Sequence, residues 1–395
     1  MPDTACPRPL PARDGPYQPG ITSPAWPSEP PRGVDPNAYG AQYAGQIDRQ
    51  RHCHIVFADV ALSTRAELRG LLEKLTRFAR HQMDKKPIQP DRSFDAAVTD
   101  RRVSVTIGFG ASLFTTPQGD DRFGIAALKP RHLKIIPRVD GDEDFDPSLE
   151  VTDLVIIIAS DDMYVNEYIF GRLYYGGVHP GIVVRRLERG YSRPDSREPS
   201  GFEDGISNPK AGASAESAES FVYVGKQDDE PSWCLDGTYL AYRKIRRRLR
   251  SFFKLDDDRR AAVFGIDAAT GERLPDAAPH AHAQKINPKR ANHRDLFGQV
   301  DVERRFIRRP YFFDDGVDGT SDEMRGVHHM SFVRGLIDQY EWPMLMWQTN
   351  PDFPTKGAGG DALYASGGAS NMTAGYYFMP GAAPAAPYVG SGLLD

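Results

Sequence analysis

Cysteine is scarce: Cys6, Cys53 and Cys234 are the only three in 395 residues, and no two of them form a C-x-x-C pair. A disulfide framework and the common zinc and dithiol motifs are thereby excluded. Long apolar runs are missing as well. The best, Leu154-Val155-Ile156-Ile157-Ile158, falls far short of the ~18 residues a membrane-spanning helix needs. Charge of one sign is not in large excess either: 49 Lys and Arg against 54 Asp and Glu leave −5, which does not mark a nucleic-acid or polyanion binder. The N-terminal residues show neither an apolar signal core nor a twin arginine, so a cytoplasmic location is expected.

Proline is abundant but unevenly spread, with eleven of 32 in the first 36 residues. Such density denies helix and sheet ladders, and residues 1–43 are expected to form an extended arm, one that either wraps a partner subunit in a homo-oligomer or is mobile. Residues 381–395, rich in Ala, Pro and Gly, are expected to form a flexible tail. Two ordered halves should lie between, at 44–225 and 226–380, since the length exceeds that of one typical domain. In the first half His54–Val60 reads as a strand, Thr64 and Glu67 as a capping box, and Leu68, Leu71, Leu72, Leu75 and Phe78 as the buried stripe of a helix. Val103, Val105 and Ile107 alternate as a strand does, Leu154–Ile158 reads as a buried strand, and 161–173 as a second helix. That order predicts an α+β, ferredoxin-like unit. Thr238–Tyr242, 245–253, His329–Val333 and 336–346 repeat the rhythm around a long polar insertion from Asp256 to Arg309. The expectation is two ferredoxin-like domains, a duplicated antiparallel sheet with helices.

Three segments carry chemistry-bearing residues. Gly201-Phe202-Glu203-Asp204-Gly205 is, as a bare pattern, a tight turn around an acid. His280 and His282 stand two apart, a spacing open to a metal ligand or to a hydrogen-bonded imidazole. Arg308-Arg309-Pro310-Tyr311 sets two guanidinium groups against aromatics. Six basic residues within 243–250 suit a phosphate or carboxylate partner or, more simply, a solvated face. Gly108-x-Gly110 lacks the third glycine of a dinucleotide fingerprint. His52-Cys53-His54 alternates along a strand and does not converge on a metal.

In this order and at these separations, the three segments resemble the dye-decolorising peroxidase family of haem enzymes. Gly201–Gly205 is similar to its Gly-x-x-Asp-Gly motif, and His282-Ala283-Gln284-Lys285-Ile286-Asn287-Pro288 to its His-x-x-Lys-x-Asn-Pro segment. Gly108-Phe109-Gly110, Asp236–Ile245 and Gly375–Phe378 match further, so the resemblance spans roughly 44–380 and neither end. It implies haem b (iron protoporphyrin IX) held mainly by the second domain, with His282 as the iron ligand, Asp204 and Arg308 as catalytic groups beside it, and Asp361 as the acid that orients the imidazole. Peroxide would be the oxidant, acting through a ferryl intermediate on bulky aromatic reductants such as dyes and phenols. A haem-binding or haem-iron-handling protein on the same fold is the alternative. The family's glycine after the arginine pair is Pro310 here, which leaves open whether Arg308 or Arg309 faces the iron. Some members dock in a protein shell through a short tail, and the closing Gly-Ser-Gly-Leu-Leu-Asp offers a candidate for that contact.

Overall fold

The computed structural model describes residues 17–21, 50–83, 103–139, 142, 145–176, 179–193, 197–204, 208, 218–287, 298–319, 323–382 and 386–394. Strands β1 (His52–Val60), β2 (Ser104–Gly110), β3 (Leu154–Ser160) and β4 (Ile182–Tyr191) form an antiparallel sheet in the order β2-β3-β1-β4. The helices Arg65–Met83 and Met163–Tyr175 fill the crossovers, which is the ferredoxin-like arrangement. Strands β5 (Thr238–Arg247), β7 (Tyr311–Val317), β8 (Glu323–Val333) and β9 (Ala369–Met379) repeat it in the order β9-β5-β8-β7. The additional strand β6 (Ile307–Arg308) pairs with β8 beyond the reach of β7. Two short seams join the sheets: Phe109 and Gly110 of β2 pair with Phe378 and Tyr377 of β9, and Tyr191 of β4 with Phe312 of β7. Eight strands thus close into a ring.

Closure explains why β3 is apolar on both faces. Val155 and Ile157 join Ile55, Phe57, Leu240, Tyr242, Phe332 and Tyr377 in one core, inside the ring. Ile156 and Ile158 pack outward against Leu68, Leu71, Leu72 and Leu75 of the first helix. Fully burying such a leucine stabilises by roughly 1.5–3 kcal/mol. The capping box forms as expected, with the Thr64 backbone N–H donating to Glu67 Oε2 at 3.1 Å and the Glu67 N–H to Thr64 Oγ1 at 3.2 Å. Gly110 is required at the first seam: a Cβ there would lie 2.0 Å from the Thr152 carbonyl oxygen. The Gly108-x-Gly110 pair therefore serves close packing, not phosphate binding.

Parts of both chain ends pack against the rest of the molecule. Of the arm, residues 17–21 are built into the molecule. The Gln18 side chain accepts from the Ile107 N–H at 2.8 Å and donates to the Ile107 carbonyl at 2.7 Å, standing in for a strand partner where β2 runs past β9. It also donates to the Pro380 carbonyl at 3.0 Å, and Tyr17 stacks on Tyr223 with centroids 3.6 Å apart. The rest of the arm lies outside the described residues. The tail, expected to be flexible, packs over residues 386–394: Tyr388, Leu393 and Leu394 are buried, and the Val389 N–H donates to Thr76 Oγ1 at 2.9 Å. Its apolar side chains satisfy the helix Arg65–Met83, a pairing composition does not reveal. Among the described residues no helix is long and apolar enough to cross a membrane.

Candidate active site

The outer face of the second sheet forms the floor of a cavity of about 480 Å³. Alternation along β5 sends Arg243, Ile245 and Arg247 to that face, and along β8 it sends Val327 and His329. Asp204, Phe264, His282, Arg308, Tyr340 and Trp347 complete much of the lining. The strand part of the basic run at 243–250 is thus not a solvated face: Arg243 is 1% exposed and Lys244 2%, because both sides of β5 are covered, while Arg250 beyond the strand is exposed.

His282 opens the short helix His282–Ile286 at the end of the insertion. Its Nδ1 lies 2.8 Å from Asp361 Oδ2, which leaves Nε2 for the cavity. Asp361 is buried and held on its other oxygen by the Leu363 N–H at 3.0 Å, as the cap of the helix Ala362–Ala365. The adjoining Ala362 N–H donates to the His280 carbonyl at 2.9 Å, which clamps the two segments together. His280 itself is exposed and does not line the cavity. Lys285 is wholly buried and donates to the carbonyls of Asn350 and Phe353 at 2.6 Å and of Gly359 at 2.8 Å. Burial pushes its pKa down, partly opposed by Asp361. The lysine of the motif therefore ties His282's helix to the loop that leads into Asp361.

Asp204 follows a tight turn in which the Gly201 N–H donates to the Glu198 carbonyl at 2.9 Å. Gly201 has φ +93°, a left-handed conformation that favours glycine. Asp204 Oδ1 lies 3.2 Å from Arg308 Nη1, both groups being mostly buried. Asn208 fixes the arginine's backbone, accepting from the Arg308 N–H at 2.9 Å and donating to its carbonyl at 2.8 Å. Arg309 points to the other side of the strand, where its Nη2 donates to Gln50 Oε1 at 3.2 Å. Phe202 stacks on Phe264 at 4.0 Å, and Phe264 meets His282 edge-on at 5.8 Å, so an aromatic pair connects the two motif segments.

Sequence reasoning missed several of these groups. Glu198, on the Asp204 turn, accepts from Arg247 Nε at 2.9 Å, and burial raises its pKa against the opposing pull of Arg247. Arg243 reaches Asp142 at 2.9 Å and Tyr340 at 3.2 Å. His329 lines the cavity too, and only its spacing two residues from Ser331 on β8 could have signalled that it shares a face with Arg308's partner. The arrangement suits a haem. One imidazole nitrogen is aimed at the cavity while the other is anchored, and Arg247 Nη1 is a buried donor without a hydrogen-bond partner among the described residues, which suits a carboxylate-bearing cofactor.

Comparisons with known proteins find matches to both halves of the chain. Residues 46–192 match the sequence profile described as Dyp-type peroxidase, N-terminal, and residues 195–383 the profile described as Dyp-type peroxidase, C-terminal. A deferrochelatase of Escherichia coli O6:K15:H31 is 25% identical over 388 residues, covering 90% of this chain and 86% of the relative. Among solved structures, the oxyferrous complex of DtpA from Streptomyces lividans superposes with a TM-score of 0.72 at 23% identity, covering 98% of each chain. The DyP-type peroxidase from Cellulomonas bogoriensis gives 0.71 at 21% identity, covering 94% of this chain and 98% of the other.

Proposed function

From a chain that belongs to the Dyp-type peroxidase family, and is thereby a haem-containing peroxidase, we propose a site in which His282 holds the iron and Asp204 and Arg308 handle the peroxide. The observation that carries the reading is the convergence on one cavity of a carboxylate-anchored imidazole, His282–Asp361 at 2.8 Å, and a carboxylate–guanidinium pair, Asp204–Arg308 at 3.2 Å. When bound, the haem supplies the two-electron reduction of peroxide.

Asp361, accepting the Nδ1 proton, makes the imidazole a stronger donor through Nε2 and fixes its tautomer. Asp204 accepts a proton from one peroxide oxygen and delivers it to the other, which departs as water. Arg308 opposes the negative charge that gathers on the departing oxygen. The Asn208 clamp and the Gly201 turn hold the pair in place before peroxide arrives.

Asp204 and Arg308 are mostly buried, which suits a molecule as small as peroxide better than a bulky aromatic one. Peroxide therefore reacts inside, while dyes and phenols give up electrons at or near the surface. The resemblance to a deferrochelatase supports a second reading, in which haem iron is handled rather than peroxide turned over. Absorption spectra of the haem-loaded protein separate the two. Peroxide should change the haem spectrum and a phenol restore it, whereas release of metal-free porphyrin without peroxide turnover would favour the second reading.

A further inference from the structure

His329 belongs to no motif. On β8 it projects from the same face as Val327 and Ser331, and the register sets it between two arginine-bearing strands. Arg243 of β5 is its direct pairing partner, and Ser331, two residues on, pairs with Arg308 of β6. Its Nε2 lies 3.4 Å from Ser331 Oγ. Its Nδ1 is buried and has no hydrogen-bond partner among the described residues, although the ring lines the cavity. A buried nitrogen left without a partner is costly, so such groups are normally satisfied by something else, water or ligand.

We propose that His329 is a third hydrogen-bonding group of the peroxide pocket, presenting Nδ1 to the small oxygen ligand or water that Asp204 and Arg308 also face. This rests on the haem-site reading above.

The charges around it fix the protonation state of the ring. Arg308 faces it from β6, Arg243 and Arg247 from β5, Asp204 from the Gly201 turn and Tyr340 from the helical segment beyond β8. Burial, reinforced by the three guanidinium groups and opposed only by Asp204, pushes its pKa down to about 3. The imidazole is neutral through the working range, with one nitrogen a donor and the other an acceptor. It does not compete with Asp204 as proton carrier. It holds the ligand or water in line for the transfer.

The test is fluoride titration of the ferric haem-loaded protein, followed by the shift in its absorption spectrum, alongside the rate of reaction with hydrogen peroxide. H329F keeps a ring of similar size without polar atoms; H329Q keeps a neutral hydrogen-bonding group. H329F should weaken fluoride binding and slow the peroxide reaction by about tenfold, the worth of one buried hydrogen bond. H329Q should restore both to within about threefold. Between pH 5 and 8 the wild-type fluoride affinity and that of H329Q should follow the same curve, since the ring does not titrate there. Unchanged fluoride affinity in H329F, with Arg308→Leu weakened, would overturn the role of His329 and leave the site reading intact. Unchanged affinity in both variants would overturn the site reading and this inference with it.

Discussion

Backbone alternation at the end of the two-residue strand β6 sends the Arg308 guanidinium to Asp204 and that of Arg309, the next residue, to Gln50. Arg308→Leu should therefore slow the reaction with peroxide at every pH by roughly 10²–10³, the loss typical of one donor to a developing anion, because a guanidinium does not titrate. Arg309→Leu should leave that rate nearly unchanged and lower the denaturant midpoint, since the group it removes is buried against the first sheet. Asp204→Asn should change the shape of the pH–rate profile, because a carboxylate is the proton acceptor of the pair. Stopped-flow spectra over a pH series read all three. His282→Ala should abolish normal haem ligation while His280→Ala retains it, as the exposed position of His280 requires. A Soret band lost in the second variant and kept in the first would reverse the assignment.

The short helix His282–Ile286 shows how a motif can be legible before its reason is. The spacing of His282, Lys285 and Asn287 is visible in the chain, but the three carbonyls that Lys285 gathers come from a loop about 65 to 74 residues later. Lys285→Met would leave those carbonyls unsatisfied in a buried place, with a cost of about 2–5 kcal/mol. Urea unfolding should show the loss, and haem affinity should fall as Asp361 loses its support; a variant as stable as the parent would refute it. The first-half elements were readable from the Thr64–Glu67 box and the leucine stripe, which are local. The long-range pairings were not. A strand's residues name its two faces, yet nothing local says that β5 is covered on both sides, so Arg243 and Arg247 resembled a wet surface. The π-type turns Ile337–Glu341 and Pro343–Gln348 were expected only as an ordinary helix at 336–346. Pro343, whose nitrogen cannot donate, opens the second of them.

At the scale of the whole molecule the ring encloses His328, which shares its Nδ1 with the Tyr242 hydroxyl at 3.0 Å and reaches the Arg189 carbonyl with Nε2 at 3.1 Å. Burial, against a counter-pull from Glu188, takes its pKa down to about 4. The unfolded chain binds a proton near 6.5 while the folded one does not, so stability falls as pH drops below about 6.5 and keeps falling to about 4, by something of the order of 3 kcal/mol. Urea midpoints measured from pH 7 to pH 4 should decline accordingly, and less steeply in His328→Gln. The arm enters the same account. Removing residues 1–21 takes Gln18 from Ile107 and Tyr17 from Tyr223, so the truncated protein should unfold at lower denaturant, contrary to what proline content alone suggests. Ring closure also has a consequence for how the chain can be divided. Each four-stranded sheet has two edges, and each edge is capped by the other half at a seam one or two residue pairs wide. Produced alone, either half would expose both edges and aggregate or self-pair. Cut between residues 193 and 197 and produced together, the two fragments should find each other and recover haem binding by complementation, with neither soluble in the absence of its mate.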